Sequence, residues 1–201
     1  MKHLILAAHP RSASFTMSLA RVYEEELAAQ GHETHLCDLY GMEFDPVLAS
    51  PELAGPGDER AAPADVRREQ MHVASADALA FIYPLWWASM PAMMKGYIDR
   101  VFSYGFAYDF AGGEMRGLLA AKQALIVTVS AAPLPALIKT GTWDAITTLQ
   151  DMHIFSTCGL QVVDHLHFGQ IVPGLAMATV EQHHEKMRAA VRRHFVRPPP
   201  I

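Results

Sequence analysis

The sequence predicts a single α/β domain over residues 1–201. Its core is a five-stranded parallel sheet in the order 2-1-3-4-5, covered by helices on both faces as a three-layer sandwich. Three observations predict it. Short runs that are apolar on both faces alternate with longer segments of helical period, the pattern of a parallel sheet buried on two sides. The chain has 201 residues, enough for one large core without disulfides or metal. Apolar residues make up 51% and charged residues 18%, which excludes a disordered chain. Right-handed crossovers then restrict five such units to a few topologies, of which 2-1-3-4-5 is a common one.

His3–Ala8 is the first strand, a near-continuous apolar run. Phe15–Gln30 is a helix, with Leu19, Val22, Tyr23 and Leu27 on its apolar face and Gly31 just past its end. His32–Cys37 is a weaker second strand. Ala64–Ala74 is a polar helix, and Ala78–Tyr83 a third strand. Pro91–Phe102 is an amphipathic helix with proline in its first turn, where the missing N–H costs nothing. Gln123–Val129 is the fourth strand, Thr142–Ser156 a helix before Gly159, Gln161–Phe168 the fifth strand, and Ala176–Phe195 the last helix.

Two segments interrupt this alternation. Asp38–Pro63 is long, without period, and carries Pro46, Pro51, Pro56 and Pro63; stretches of that kind are often functional or interface loops. Ser103–Gly117 reads as an exposed aromatic loop with Tyr104, Phe106, Tyr108 and Phe110. The tail Arg197–Ile201 is expected to fray.

The net charge is −5, which argues against a nucleic-acid partner. Two cysteines rule out a disulfide scaffold and suit a reducing compartment. The first apolar run is too short for a signal peptide, and no stretch approaches ~20 apolar residues. The expectation is a cytoplasmic protein without a transmembrane segment.

In a sheet of this order a ligand lies beyond the carboxyl ends of the strands, between strands 1 and 3. That rule selects two segments. His9-Pro10-Arg11-Ser12-Ala13-Ser14-Phe15-Thr16 opens the first helix. Its hydroxyls, free N–H groups, positive dipole end and Arg11 make an anion site, while Ser12 or Ser14 would also cap the helix. There is no GxGxxG and no GxxxxGK[ST]. Tyr83-Pro84-Leu85-Trp86-Trp87-Ala88-Ser89-Met90-Pro91 sets two indoles between prolines at a strand end, where they would stack on a flat aromatic ligand or pack under a loop.

Other groups carry less. His165 and His167 share a strand face, but no Cys or carboxylate cluster completes a metal site, and they read as surface or core histidines. Ser130 lacks G-x-S-x-G, Cys158 reads as a buried thiol, and Met90, Met93 and Met94 as core filler.

The block YPLWWASMPAMMKGYIDRVFSYGFAYDF, residues 83–110, closely resembles the NAD(P)H:quinone reductase family of flavoproteins. The family shows P-L-x-W, a small-Pro-Ala turn, K-G-[aromatic]-x-[DE]-R-V-F and G-x-[AF]-Y. Asp38–Pro46 resembles its D-L-Y-x-M-x-F-x-P segment, Ala8-His9 with Ser14-Phe15-Thr16 its first flavin loop, and Cys158–Val162 its C-G-F-x-V strand. The resemblance spans roughly residues 3–195. It implies a flavodoxin-like homodimer with one flavin per subunit, FAD with FMN as the alternative. NAD(P)H would be co-substrate and quinones or similar aromatics the acceptors, in ping-pong two-electron transfer.

By that resemblance His9, Ser14, Phe15 and Thr16 hold the flavin's phosphate and ribityl part. Leu85, Trp86, Trp87 and Ala88 line its ring, and Val129, Ser130, Ala131 and Ala132 form the turn after strand 4. Trp87 shapes the substrate slot, with Tyr108 and Phe110 contributed to the partner subunit's site. The family's Thr-Thr-Gly-Gly turn has become Val-Ser-Ala-Ala, and its downstream Tyr and His have no counterparts in Pro133–Trp143, so no catalytic acid is assigned. Those losses would also suit a flavin-binding ancillary subunit of an ion-efflux system with little turnover. An electron-transfer flavodoxin fits less well, because it usually carries a strongly acidic face.

Overall fold

The computed structural model describes residues 1–53 and 62–195. Pro56 and the tail Arg197–Ile201 lie outside the described residues. The main sheet has five parallel strands: β1 (Lys2–Ala7), β2 (Glu33–Asp38), β3 (Ala78–Pro84), β6 (Gln123–Val129) and β7 (Gln161–Phe168). Their order is β2-β1-β3-β6-β7, the expected 2-1-3-4-5. A two-stranded antiparallel hairpin, β4 (Tyr108–Ala111) and β5 (Glu114–Gly117), lies between β3 and β6 in the chain and outside this sheet.

Both faces of the sheet are covered. Ile5, Ala7, Ala80, Ile82, Leu125 and Val127 pack against α1 (Phe15–Ala29) and α6 (Met177–His194). The alternate residues Leu4, Leu6, Leu79, Phe81, Tyr83 and Ile126 face α2 (Ala64–Ser75), α3 (Ala92–Val101) and Phe155. Every residue of β3 is buried, as a central parallel strand requires.

Three segments depart from expectation. The aromatic segment 103–117 is not a plain loop: Gly112 and Gly113, with φ of 65° and 87°, form the two-residue turn of the β4–β5 hairpin. A short helix, α4 (Leu134–Lys139), precedes the helix read at 142–156. That helix divides into α5 (Thr142–Thr147) and a π-helical segment, Thr148–Ser156. Pro91 caps α3 from outside rather than sitting in its first turn.

The long proline-rich segment is pinned where it is described. Arg100, buried on α3, donates to the Asp45 carbonyl (2.7 Å) and pairs with Glu52 and Asp65, each at 2.8 Å, over the Phe44 ring. Burial works against the guanidinium charge, but the two carboxylates hold its pKa above the ordinary value.

Candidate functional site

The carboxyl ends of β1, β3 and β6 open into a cavity of about 550 Å³. It is lined by His9, Arg11, Ser14, Phe15, Thr16, Leu85, Trp86, Val129, Ser130 and Ala131, together with Ile171–Pro173. The first ten lie in the three segments singled out in the sequence. The last three follow β7 and carried no signal.

At one end α1 begins. Ser14 is its N-cap, in extended conformation, and its Oγ accepts from the Met17 amide at 3.2 Å. Ser12 is not the cap; its carbonyl accepts from Arg21. The amides of the first turn have no acceptor within the helix, and the dipole makes this end positive. His9 Nδ1 accepts from the Arg11 amide at 3.0 Å, which folds the loop back on itself. Burial, with Arg11 nearby, holds the His9 pKa below its usual value, so at neutral pH the ring hydrogen-bonds as a neutral imidazole.

At the other end the wall is apolar. Leu85, Val129 and the half-exposed indole of Trp86 form it, and the Trp86 ring stands edge-on to His9 at 6.1 Å. Backbone bonds fix the strand ends: the Leu85 amide donates to Val129 O (2.8 Å) and the Ser130 amide to Phe168 O (3.0 Å). The Ser130 amide is therefore spent on the sheet, and its hydroxyl sits between the Ala132 carbonyl and His167 Nε2 at the cavity's edge. An anion-binding helix terminus opposite a flat apolar wall is the donor set that a phosphorylated aromatic cofactor needs. The residues present fit a flavin on those grounds.

Trp87 and Ala88 go elsewhere. Trp86 and Ser89 exchange backbone hydrogen bonds of 3.0 and 3.1 Å, and the two residues between them have φ of 54° and 56°. This is a tight turn of the I′ type, held by residues other than glycine, and such strain persists only where the surroundings enforce it. It projects Trp87, fully exposed, away from the first cavity. Trp87 and Ala88 line a second, more apolar cavity of about 540 Å³ with Met90, Lys95, Ile146 and Leu149. Tyr108 and Phe110 line neither cavity. Tyr108 borders a third with Tyr104 and Met115, and Phe110 is exposed on the hairpin. Ala132 also lies outside the first cavity's lining, but its carbonyl accepts from Ser130 Oγ at 2.9 Å.

Behind Ser130 lies a hydrogen-bonded chain that the sequence did not disclose. Ser130 Oγ lies 3.1 Å from His167 Nε2, and His167 Nδ1 lies 3.0 Å from Thr128 Oγ1. The same Thr128 hydroxyl lies 3.1 Å from His165 Nε2, and His165 Nδ1 lies 2.9 Å from Asp151 Oδ1. The indole of Trp143 covers both imidazoles, 4.7 Å from His165 and 5.5 Å from His167. Burial pushes the His167 pKa down against the Ala132 carbonyl, 3.3 Å from Nε2, which favours the charged ring; His165 and Lys186 add to the lowering. The only trace of this in the sequence was two histidines at i and i+2 on one strand. Their partners depend on β6–β7 pairing, where Thr128 stands opposite His167.

Cys158 is a buried free thiol, as read, and burial raises its pKa to about 11. No helix among the described residues is long and apolar enough to cross a membrane.

Comparison with known proteins bears on this geometry. The model of a flavodoxin-like fold family matches residues 1–194. A protein of Haemophilus influenzae named an uncharacterized NAD(P)H oxidoreductase is 35% identical over 172 residues, 85% of each chain. A ribosyldihydronicotinamide dehydrogenase [quinone] of Pongo abelii is 37% identical over 156 residues, 70% of this chain and 68% of its own. The solved structure of an NAD(P)H:quinone oxidoreductase from Methanothermobacter marburgensis superposes with a TM-score of 0.85, at 31% identity over 96% of both chains.

Proposed function

The chain belongs to the flavodoxin-like fold family, among its NAD(P)H:quinone oxidoreductases, and from that membership we propose that it carries electrons from NAD(P)H to quinone-like aromatics through a flavin held in the first cavity. The observation that carries the reading is the two-ended cavity itself. A helix N-terminus capped by Ser14 stands at one end, and the Leu85–Trp86 and Val129 wall at the other. The relatives are named as oxidoreductases, which disfavours the ancillary-subunit alternative.

The flavin would supply a two-electron store between donor and acceptor. The protein's part is to bind and orient. The first-turn amides of α1, Ser14 and Thr16 would hold the phosphate, and Arg11 would add a compensating charge. Trp86 and Leu85 would exclude water from one side of the ring. Trp87 and Ala88, on the second cavity, would border the slot where nicotinamide and acceptor alternate. FAD is the first expectation for the cofactor, supported by the Asp38–Pro46 segment that Arg100 anchors, and FMN is the alternative. A homodimer is part of the reading: Tyr108 and Phe110 lie on a hairpin away from their own cavity, and Phe110 and Met115 are exposed there. Exposed apolar residues in that arrangement suit an interface with a second copy.

The test is a visible absorbance spectrum of the purified protein, with chromatography of the cofactor released by heat. A flavin spectrum with NAD(P)H-dependent quinone reduction is the expected result, and the chromatogram separates FAD from FMN. Failure to bind either flavin after reconstitution would overturn the reading.

A further inference from the structure

We propose that the chain Asp151–His165–Thr128–His167–Ser130 is a proton relay, which feeds the first cavity with the proton that two-electron reduction of an acceptor consumes. The inference rests on the oxidoreductase reading for its use, but on geometry alone for its existence. The overall reaction is NAD(P)H + H⁺ + quinone → NAD(P)⁺ + hydroquinone. The hydride brings two electrons and one proton, and a second proton must come from elsewhere. No general acid was assigned from the sequence, and the relay would supply that function.

The Leu166 carbonyl lies 3.4 Å from Thr128 Oγ1 and the Ala132 carbonyl 3.3 Å from His167 Nε2, but the shorter contacts along the chain support two continuous hydrogen-bond orderings. In the first, His165 Nδ1–H donates to Asp151, Thr128 Oγ1–H donates to His165 Nε2, His167 Nδ1–H donates to Thr128, and Ser130 Oγ–H donates to His167 Nε2. In the second, every bond between His165 and Ser130 is reversed. His165 carries both protons and donates to Thr128, Thr128 donates to His167 Nδ1, His167 Nε2–H donates to Ser130, and Ser130 Oγ–H donates to the Ala132 carbonyl at 2.9 Å. The two orderings share the four bonds from Asp151 to Ser130; the second adds the bond to Ala132 and one proton.

One end is held by a carboxylate and the other touches the cavity. His165 Nδ1–H is already committed to Asp151, so the added proton reaches Nε2 through the chain itself. Ser130 takes it from the open cavity and passes its own to His167 Nε2, His167 passes Nδ1–H to Thr128, and Thr128 passes its proton to His165, whose cation the half-buried Asp151 stabilises. Ser130 lines the cavity. When the Ser130 hydroxyl turns from the Ala132 carbonyl and gives its proton to a negative oxygen or nitrogen in the cavity, it takes one from His167 Nε2. His167 then takes one from Thr128, and Thr128 one from His165. The chain returns to the first ordering with one proton delivered.

The surrounding charges favour a neutral His167. Lys186 of α6 donates to its carbonyl oxygen at 3.1 Å, and Asp151 on the π-helical segment bonds to His165 and not to His167. Burial lowers the pKa of His167 and so keeps that ring a conduit rather than a resting cation. The π-helical winding matters here, because Asp151 lies within it. Ser130 is the group placed to touch the reacting atoms; Thr128, His165, His167 and Asp151 act through it.

The decisive experiment needs no cofactor. Nitrogen-15 NMR of the cofactor-free protein reports which imidazole nitrogen of His167 bears the proton. On lowering the pH, His167 is expected to switch from Nδ1–H to Nε2–H as the chain takes up its added proton. The near-isosteric Thr128→Val keeps the volume but removes the shared hydroxyl, and the switch is expected to vanish. A wild-type His167 that keeps one tautomer throughout overturns the relay, whether or not Thr128→Val folds.

With flavin bound, Ser130→Ala is expected to lower kcat for acceptor reduction by about 10²-fold, the scale of general acid catalysis, with the loss growing as pH rises and KM for NAD(P)H unchanged. An unchanged kcat with an unchanged pH profile would remove Ser130 as the delivering group. A wild-type protein that switches tautomer but binds no flavin would overturn the oxidoreductase reading, and with it this use of the relay. That failure appears in a different measurement from the one that overturns the relay itself.

Discussion

Gly96 of α3 lies directly against Pro46: a β-carbon at residue 96 would overlap the Pro46 carbonyl oxygen and stand 2.6 Å from its Cα. The glycine of the K-G-Y segment is therefore a packing requirement. It lets the described part of the 38–63 segment lie flat on α3, where Arg100 can reach it.

Gly96→Ala is expected to lift that segment. A methyl gained in a packed site costs about 1–3 kcal/mol, and here the obstacle is backbone rather than a side chain that can swing aside. Thermal unfolding gives the cost. If the segment contributes to holding FAD, cofactor content falls with it. A variant as stable as the wild type would mean that the segment shifts freely.

Arg100→Met leaves Glu52, buried with it, without its partner. Of the two carboxylates Glu52 carries the energy, since Asp65 is well exposed and its pair is screened. Breaking a buried pair from one side costs about 3 kcal/mol. Arg100→Lys should restore little, because one ammonium cannot serve two carboxylates and the Asp45 carbonyl together. Limited proteolysis near Glu52, compared across the three proteins, reads the release directly.

Strands β6 and β7 were legible to the residue. Gln123–Val129 is an apolar run between Lys122 and Ser130, and Gln161–Phe168 is a shorter, more polar stretch set between Gly159 and Gly169. Ser14, Leu85 and Trp86 followed from the rule that ligands gather at the switch between strands, and Ser130 from the family resemblance alone. What escaped depends on partners distant in sequence. The helix at 142–156 has a sound helical period, yet half of it is π-wound, with Gln150 meeting Tyr83 at 2.5 Å and Asp151 meeting His165. Those bonds belong to the tertiary structure and leave no mark on periodicity. The Trp87–Ala88 turn escaped because neither residue favours positive φ, so a continuous wall of two indoles was the simpler reading. The β4–β5 hairpin did carry a signal, Gly112-Gly113, which the neighbouring aromatic residues obscured.

That turn separates the roles of the two indoles. Trp86→Ala removes part of the first cavity's wall and is expected to weaken flavin binding roughly tenfold, by loss of stacking and buried area. Trp87→Ala should leave flavin content intact and raise KM for the acceptor, since Trp87 borders only the second cavity. Fluorescence titration of flavin and steady-state kinetics distinguish the two. Full turnover at unchanged KM in Trp87→Ala would remove that residue from the site.

The final prediction concerns acid stability and lies far from the cavity. His3, buried on β1, has Nδ1 3.2 Å from the Tyr23 hydroxyl and Nε2 3.1 Å from His32 Nδ1, with Phe195 edge-on at 4.7 Å. Burial, then the neighbouring His32, pushes its pKa down from 6.5 to about 4. Between those values the unfolded chain binds a proton at this position and the folded chain does not. Stability is therefore undiminished above pH 6.5, falls as the pH drops toward 4, and stops falling from this source below that. Each pKa unit is worth about 1.4 kcal/mol, so the whole window costs about 3 kcal/mol. His3→Gln removes the titration while keeping a polar partner for Tyr23. It should be less stable than the wild type at pH 7.5, yet lose less of its stability between pH 7 and 4.5. Equal slopes in denaturant unfolding across that range would show that the fold accommodates a charged His3.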